Sequence, residues 1–425
     1  MSKEKRRVPK LRFPGFTEDW EQCKLGEIFE YLQNNTLSRD ALNYKNPNIK
    51  NIHYGDILVK FDEILDGSNK DIPYINSELD LSKFSKSLLR DGDIIFSDTA
   101  EDDTVGKAIE LQNVNAPFIL SGLHTIPCRP LVPFGKGYLG NFLNSDSYRL
   151  QLRPLVQGIK VSSISKSALK DTMIEYPKNL DEQEKIGRLF YHIAKMITLH
   201  QCKLEHLNLK KKALLQKLFP KNGECYPELR FPGFTDAWEQ CKLDDIAKIK
   251  TGGGTPKTAN PEYWSGNIPW IQSSDLVEGD IEHVNINKFI NNNALKNSAA
   301  KLISRDSIAL VTRVSVGKVA VINQDFTTSQ DFLSLSDFDG SDIKFLAYQL
   351  YRLMQENAKV LQGTSIKGIT KTELIEQSIS IPSSSEEQNL ISNVLSKIDS
   401  IITLHQRKLE HLQLQKKALL QQMFV

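Results

Sequence analysis

The chain lacks the sequence features of several protein classes. No apolar run approaches the ~18 residues that a membrane-spanning helix requires, and the basic N-terminus has no apolar core like that of a secretory signal. The five cysteines, Cys23, Cys128, Cys202, Cys225 and Cys241, form no C-x-x-C pair and have no histidines at zinc-ligand spacing. We therefore expect a cytoplasmic protein with reduced thiols and no metal site.

Motifs of nucleotide and methyl-transfer chemistry are also missing. The sequence has no G-x-x-x-x-G-K-[ST] loop for ATP and no N-P-P-Y or D-P-P-Y signature of adenine methyltransferases. Residues 135–140 satisfy G-x-G-x-x-G, but Pro130 and Pro133 interrupt the approach, so we interpret the motif as a turn. Six acidic residues between 91 and 103 could suggest a metal nuclease, and we interpret them as solvated loop acids that stay away from phosphate. The chain is predicted not to be an enzyme.

Composition and charge set the scale of the fold. The 425 residues, 40% hydrophobic and 25% charged, suffice for two to three domains with their own cores. The net charge is only +2, so the whole molecule would not attract DNA strongly. Any affinity for nucleic acid must come from local groups.

The strongest internal signal is a duplication. KLRFPGFTEDWEQCKLGEI (10–28) matches ELRFPGFTDAWEQCKLDDI (228–246) at fourteen of nineteen positions. LHQCKLEHLNLKKKALLQKLF (199–219) matches LHQRKLEHLQLQKKALLQQMF (404–424) at sixteen of twenty-one. The segments between them, 29–153 and 247–358, share little. A repeated frame around unlike inserts suggests one scaffold with two specificities, although an old duplication with drifted loops would give the same pattern.

Each frame ends in a predicted long helix. Asn179–Glu182 and Ser384–Glu387 resemble capping boxes, and an apolar heptad follows each. Helices of about 38 residues with such seams favour a coiled coil, whose pairing could be parallel or antiparallel. We predict antiparallel pairing, because it gives a pseudo-two-fold axis like that of a DNA backbone. His200 and His405 would then approach each other without a metal or pH role. The seam positions are Ile186, Ile193, His200, Leu207 and Leu214 in the first helix, and Ile391, Ile398, His405, Leu412 and Leu419 in the second.

The two inserts, 29–153 and 247–358, are predicted to have an α/β fold. Short strands are predicted at Asp56–Phe61, Asp93–Phe96 and His124–Cys128 in the first insert, and at Ser307–Val311, Lys318–Ile322 and Phe332–Leu335 in the second. An amphipathic helix is predicted at Ser341–Leu361, with a more broken counterpart at Tyr138–Val156.

Loops between these elements carry groups suited to nucleic acid. Glycines in Thr251–Lys257 would let backbone amides approach a phosphate, and Thr312–Lys318 places two cations and a hydroxyl in one turn. Phosphate contacts fix register while Arg, Gln and Asn read base edges. The candidate DNA-binding residues are Lys107, His124, Lys160, Ser162, Ser163 and Lys166 in the first half, and Thr251, Gly254, Thr255, Lys257, Trp270, Gln272, Ser273, Arg313, Ser315, Lys318, Gln330, Thr364, Ser365 and Lys367 in the second.

Several of these motifs together resemble type I restriction-modification specificity subunits. They are RFPGFT with W-E-Q-C-K-L, the Gly363–Leu374 segment, an I-x-x-P strand, a Glu-Gln pair and the terminal K-L-x-x-L-x-x-x-K-x-x-L-L-Q helix. Gly158-Ile159-Lys160 departs from Gly363-Thr364-Ser365, which weakens the phosphate-loop assignment in the first half.

The resemblance implies two target-recognition domains, each reading one half of a bipartite site in double-stranded DNA. It also implies spacer helices that bind two adenine-N6 methyltransferase subunits and restriction/translocase subunits. S-adenosylmethionine, ATP and Mg would be bound by those partners and not by this chain. The corresponding domains are 1–180 and 221–383 for recognition, and 181–220 and 384–425 for the helices.

Two other functions remain compatible with the residues. A stand-alone DNA-modifying or cleaving enzyme with an unrecognised site would turn over with a methyl donor or divalent metal. A structural adaptor would use the duplicated helices without touching nucleic acid, so replacing Arg313, Lys318 and Lys367 would leave its activities intact. The missing motifs argue against the first, and the unlike inserts argue against the second.

Overall fold

The computed structural model describes residues 7–45, 49–76, 81–115, 118–158, 160–221, 223–362 and 368–425. The chain forms two compact units. The first comprises residues 1–201 with 407–425, and the second comprises residues 202–406. The boundary therefore falls inside both long helices, and each unit is described separately below.

The first unit is built mainly from short strands. They are β1 Glu21–Lys24, β2 Phe29–Tyr31, β3 Leu42–Asn43, β4 Lys50–Ile52, β5 Ile64–Asp66, β6 Tyr74–Ile75, β7 Ile94–Ser97, β8 Thr99–Ala100, β9 Ala108–Gln112, β10 Ile119–Ser121, β11 Thr125–Pro130, β12 Ser162–Ser163 and β13 Met173–Tyr176. Its helices are α1 Leu25–Ile28, α2 Tyr54–Val59, α3 Tyr138–Leu143, α4 Asp146–Leu152, α5 Lys166–Lys170 and the start of α6 Leu180–Lys217, with 3₁₀ turns at Arg39–Ala41, Leu81–Phe84 and Arg153–Leu155.

A five-stranded sheet, in the order β2-β11-β7-β9-β5, forms the centre of this unit. A four-stranded sheet, β10-β4-β6-β3, lies beside it, and the pairs β1-β13 and β12-β8 complete the pairing. The β-branched and aromatic residues of β7 and β11 favour strands, and both strands are almost wholly buried. The main core packs Ile94, Phe96 and Ile126 against α3 and the first turns of α6.

The second unit repeats this plan with fewer strands. They are β14 Glu239–Lys242, β15 Ala247–Gly252, β16 Ile268–Ile271, β17 Phe289–Ile290, β18 Ser307–Val311, β19 Val319–Ile322, β20 Thr327–Thr328, β21 Phe332–Phe338 and β22 Ser378–Ile381. The helices are α7 Leu243–Ile246, α8 Asn292–Asn297, α9 Ile343–Gln362, α10 Lys371–Ile375 and α11 Ser385–Met423, with 3₁₀ turns at Pro261–Trp264 and Ser273–Asp275. The sheets have the orders β15-β21-β18-β19, β17-β16-β20 and β14-β22.

The same ion pair joins the RFPGFT segment to the start of a long helix in both units. In the first unit Arg12 donates to both carboxylate oxygens of Glu182, at 2.7 and 2.9 Å. In the second, Arg230 makes the same pair of bonds to Glu387, at 2.8 and 2.9 Å. Both glutamates are 1% exposed. These Arg-carboxylate forks attach each RFPGFT segment to the start of a long helix.

The same glutamates correct the predicted capping boxes. The Asn179 side chain does accept the amide of Asp181, at 2.9 Å, and Ser384 accepts that of Glu387, at 3.4 Å. The glutamate side chains, however, pair with the arginines instead of turning back to the N-cap. The arginine is distant in sequence, but its guanidinium donates two charge-assisted hydrogen bonds to the buried carboxylate. These are stronger than one hydrogen bond from a backbone amide.

Within each unit, opposite ends of the two long helices share one core, as antiparallel pairing requires. In the first unit Ile186 and Phe190, near the start of α6, pack with Phe424 at the end of α11. In the second unit Leu215 and Phe219, at the end of α6, pack with Ile391 near the start of α11. Each terminal phenylalanine also meets the tryptophan of a W-E-Q-C segment, with ring centroids 6.4 Å apart for Trp20–Phe424 and 6.0 Å for Trp238–Phe219.

The predicted lengths of these helices are confirmed, and the predicted seam positions stay a prediction. The helices span 38 and 39 residues. Five seam positions are buried and five are half-buried; the buried ones are Ile186, Ile193, Ile391, Ile398 and Leu412, and the others are His200, Leu207, Leu214, His405 and Leu419. His200 and His405 belong to different units, so their approach stays a prediction. No helix in the described ranges carries an apolar stretch that could cross a bilayer.

Most predicted elements of the inserts are present. Five of the six predicted strands overlap β7, β11, β18, β19 and β21, and α9 buries Leu346, Leu350 and Met354 on one face. The broken counterpart at 138–156 is α3, α4 and a 3₁₀ turn. The strand predicted at Asp56–Phe61 is wrong, because α2 occupies Tyr54–Val59. His53 accepts the amide of Gly55 and caps that helix, a signal that an apolar run alone does not show.

Candidate nucleic-acid interface

Backbone hydrogen bonds establish a residue-by-residue correspondence between the two units. The amide of Asp98 donates to His124 O at 3.1 Å, and that of Thr312 donates to Asp331 O at 2.8 Å. The next bonds also match: Ile164 N to Asp98 O is 2.8 Å, and Ile369 N to Thr312 O is 2.9 Å. Asp98, Thr99 and His124 therefore occupy the places that Thr312, Arg313 and Asp331 occupy in the second unit.

We call this location the strand-end site: Asp98, Thr99 and His124 in the first unit, and Thr312, Arg313 and Asp331 in the second. It lies where β7 and β11, or β18 and β21, end side by side. Side chains at strand ends project beyond the sheet, where a large ligand can reach them. The same backbone thus presents two different sets of polar groups.

In the first unit the strand-end site is built around an imidazole. His124 Nδ1 lies 3.2 Å from Asp98 Oδ1, and the Thr99 hydroxyl donates to the same oxygen at 2.7 Å. Tyr54 presents its ring edge-on to His124, with centroids 5.3 Å apart, and stands beside His53. Sequence reasoning selected His124 but missed its neighbours, because 25 or more residues separate them along the chain.

Four other candidates lie on the segments that follow this group in the first unit. Ser162 and Ser163 form β12, which pairs with Thr99–Ala100 of β8. Lys160, just before them, is exposed. Lys166 begins α5 and its side chain is exposed, while its carbonyl accepts the Tyr31 hydroxyl. DNA contact by these residues stays a prediction.

In the second unit the strand-end site is built around a guanidinium. Arg313 is exposed and lines an open depression of about 320 Å³ together with Val314, Asp331, Gly368 and Ile369. Val314 and Ser315 have φ of 44° and 70°, a left-handed backbone that side chains rarely adopt. Such local strain is found at functional sites more often than elsewhere.

Further candidates surround Arg313. The Thr255 hydroxyl donates to Gln330 Oε1 at 2.6 Å, which links the end of the glycine-rich loop to the start of β21. Gln272 accepts from Lys288 at 3.2 Å. The corresponding first-unit residue is His53, because Ser329 N to Ile271 O matches Gly122 N to Ile52 O. Thr251 lies half-buried in β15, and Lys257 is exposed. Thr364, Ser365 and Lys367 lie outside the described residues.

The two Val-Gly-Lys lysines have a different role from the one expected. Lys107 Nζ donates to the carbonyls of Leu58 and Phe61, at 3.3 and 2.8 Å. Lys318 Nζ donates to those of Ser273 and Leu276, at 3.0 and 2.8 Å. Burial lowers the pKa of Lys107, against the opposing effect of Glu63. Both ammonium groups bind loop carbonyls and are not directed at a ligand, so the prediction that these lysines contact DNA is corrected. Ser273 takes part through its backbone carbonyl only, so its side chain stays a candidate for DNA contact.

Gly254 and Trp270 are also corrected. The Gly254 amide donates to Thr328 O at 2.8 Å, so it is not free for a phosphate. A Cβ at this position would stand 2.1 Å from Ala299 O, so glycine serves close packing here. Trp270 is 4% exposed, and its indole donates to Gly254 O at 3.1 Å. Residue type suggested a contact with DNA, but the fold uses these groups internally.

A buried carboxylate fills the G-x-G-x-x-G turn. The amides of Gly137 and Gly140 donate to the two oxygens of Glu110, at 2.7 and 2.9 Å. Burial raises the pKa of Glu110. The amides that would hold a phosphate in a dinucleotide site are therefore occupied by a carboxylate of the chain itself. Only the first half of the motif is a turn, because Tyr138–Leu143 form α3.

The acidic residues near position 98 do not form one cluster. Asp93 is buried and bidentate with Arg129, at 2.9 and 2.7 Å, so its description as a solvated acid was wrong. Asp98 instead binds Thr99 and His124. Within the described ranges no group of three His, Cys, Asp or Glu side chains could hold a metal ion.

Replacing Lys318 by methionine should destabilise the second unit without weakening its phosphate contacts. Two half-buried carbonyls would lose their donor, a cost of roughly 2 kcal/mol in unfolding free energy. The slope of log affinity for DNA against log salt should not change, whereas Lys257→Ala should reduce it by about one if Lys257 binds a phosphate. Thermal melting and salt-dependent binding measure the two effects. A smaller slope with unchanged melting for Lys318→Met would contradict this assignment.

Comparison with known proteins identifies the family. The family model for the type I restriction modification DNA specificity domain matches residues 17–209 and 235–414. A putative type I restriction enzyme MjaX specificity subunit from Methanocaldococcus jannaschii is 25% identical over 95% of this chain and 92% of its own length. The MjaIX specificity subunit from the same organism is 35% identical, over 39% of this chain and 38% of its own length.

A solved structure shares the fold. The S subunit of a type I restriction-modification system from M. genitalium covers 98% of this chain and 99% of its own, with a TM-score of 0.64 at 13% identity. Two copies of the family model together match most of the sequence. This chain therefore belongs to the specificity subunits of type I restriction-modification systems.

Proposed function

We propose that this subunit reads an asymmetric DNA site in two parts, one part with each unit. The observation that carries the proposal is the strand-end site. Matched backbone bonds hold His124 with Asp98 in one unit and Arg313 with Asp331 in the other. An imidazole and a guanidinium offer different donors and acceptors to a base edge, so two such sites favour two unlike half-sites.

The subunit would choose the site while its partners carry out the chemistry. The turn that resembles a dinucleotide loop is filled by Glu110, which supports a non-catalytic role for that segment. S-adenosylmethionine would then be bound by adenine-N6 methyltransferase subunits, and ATP and Mg by restriction/translocase subunits. This division predicts little activity from the chain alone.

Exposed apolar residues on the long helices fit the docking of two copies of one partner. Leu209 and Leu414 occupy the same place in the repeat and are 67% and 68% exposed. Leu199 and Leu404 form a second equivalent pair, at 52% and 50%. Single exposed leucines are common on protein surfaces, but here the same two repeat positions are exposed in both helices. A surface that occurs twice, once in each repeat, suits two identical methyltransferase subunits.

Leu209→Glu and Leu414→Glu should each remove one methyltransferase copy. A carboxylate in an apolar contact should weaken the affected interface by about tenfold or more. The mass of the complex, measured by native mass spectrometry, should fall by one subunit in each single variant and by two in the double variant. Gln201→Glu, at an exposed position of the same helix, is the control and should retain both copies. Full assembly of the double variant would exclude this surface.

Mapping methylated adenines tests the whole proposal. Cells lacking other methylation systems would carry this chain with its methyltransferase partner. We expect one motif with two unlike defined parts separated by unspecified bases. Methylation without the chain, or a single undivided motif, would contradict the proposal.

A further inference from the structure

The backbone around His124 fixes where its side chain points. His124 has φ of 54°, a left-handed conformation that is uncommon for residues other than glycine. Its carbonyl accepts the Asp98 amide at 3.1 Å. Two residues earlier, a Cβ on Gly122 would stand 2.9 Å from Ile52 O, so the turn is closely packed against β4. The imidazole is therefore held in place by the fold.

Hydrogen bonding fixes which ring nitrogen carries the proton. Asp98 Oδ1 lies 3.2 Å from His124 Nδ1 and receives the Thr99 hydroxyl at 2.7 Å. A carboxylate only accepts hydrogen bonds, so Nδ1 must be the donor. The neutral ring then carries a lone pair on Nε2. Thr99 and Asp98 act on His124 as positioning residues.

The accepting nitrogen faces a surface that a ligand can reach. The His124 side chain is 48% exposed. Among the described residues, no hydrogen bond to Nε2 is present. The Tyr54 ring meets the imidazole edge-on and limits its rotation. The strand-end site of the first unit thus presents a hydrogen-bond acceptor, and that of the second presents the Arg313 donors, which stand at the position of Thr99.

We propose that His124 Nε2 reads an exocyclic amine in the first half-site, either N6 of adenine or N4 of cytosine in the major groove. These amines are the hydrogen-bond donors that the major groove displays. Nε2 of the neutral ring has no proton to donate, so phosphate and carbonyl oxygens, which only accept hydrogen bonds, find no partner there. This inference rests on the proposed two-part reading and assigns one residue and one base chemistry to its first part.

Base analogues without the amine test this assignment on the intact protein. Each adenine of the first half-site would be replaced by purine, and each cytosine by 2-pyrimidinone, in duplexes that carry the mapped motif. The complex of the full chain with its methyltransferase subunits should bind one of these duplexes about tenfold more weakly. The analogue that has this effect distinguishes adenine from cytosine.

Combining His124→Ala with the sensitive base analogue completes a double-mutant cycle. His124→Ala should bind the natural duplex about tenfold more weakly and should lose no further affinity with the sensitive analogue. His124→Gln keeps an acceptor and should recover part of the affinity. If His124→Ala does not fold, the analogue series on the natural protein still gives the result.

The position of the proton on the His124 ring can be measured, and a purely structural role of His124 would not depend on it. The ¹⁵N shifts of His124 should report a proton on Nδ1 in the natural protein, and a mixture of tautomers in Asp98→Ala. A proton on Nε2 in the natural protein would overturn the assignment. So would analogues that weaken the natural protein and His124→Ala by equal factors. Failure of the proposed function looks different, because the complex would then show no preference for the mapped motif in either half.

Discussion

Arg313→Ala is expected to weaken binding to the cognate duplex by about 5- to 150-fold, the range that corresponds to ~1–3 kcal/mol for one bidentate base contact. A guanidinium presents a rigid fork of donors that matches O6 and N7 of guanine. Arg313 is exposed at the end of β18, beside the left-handed residues Val314 and Ser315. The loss should be confined to one base position of the second half-site. Competition with duplexes substituted at each position measures this profile.

Arg305 provides a matched control for that experiment. It is also exposed, but it stands just before β18, at the opposite end of the strand from Arg313. Arg305→Ala should leave the base profile unchanged. A loss that is equal for all sequences would assign Arg313 to a phosphate, and an altered profile in the first half-site would contradict the separation of the two readers.

Asp399→Ala is expected to lower the free energy of unfolding of the second unit by about 3–5 kcal/mol, because it leaves the buried charge of Lys211 without its partner. The two side chains are 2.5 Å apart and 7% and 4% exposed. Lys211 also donates to Gly279 O, and the Tyr348 hydroxyl donates to Asp399 at 2.7 Å. Burial raises the pKa of Asp399, against the effect of Lys211 and Tyr348. Urea unfolding with hydrogen exchange locates the loss.

The first unit supplies the comparison. Lys416 is the repeat equivalent of Lys211, but it pairs with Glu63 of the insert, at 2.8 Å. Ala194 stands where the second helix has Asp399. The Lys416 pair is 16% and 20% exposed, so Glu63→Ala should cost only about 1 kcal/mol. The double variant Lys211→Met/Asp399→Leu should regain most of the stability that Asp399→Ala loses. Equal losses from Asp399→Ala and Glu63→Ala would contradict the importance of burial.

The frame could be predicted from sequence because its signals are local or repeated. The heptads predict α6 and α11 almost to their ends, and the duplicated blocks indicate two similar halves. The partners of the frame residues could not be predicted, because 170 residues separate Arg12 from Glu182. Only the folded chain brings them together.

The sequence indicated which residue types in the candidate interface suit DNA contact. It did not indicate which of those side chains are exposed and which make contacts within the fold. Arg313 and His124 are both exposed in the strand-end sites of their units, although they occupy different positions there, and exposure is what a reading role requires. Lys318 and Trp270 have equally suitable chemistry but bind loop carbonyls or fill the core. The pairing register of β7 with β11 decides that Asp98 meets His124, and no pattern in the sequence specifies that register.

Exchanging residues 29–153 for the insert of a relative, followed by mapping of methylated adenines, tests the two-reader account most directly. The account predicts that the first part of the motif changes to that of the relative, while the second part and the spacing are retained. A motif that changes in both parts, or in neither, would show that the units do not read DNA independently.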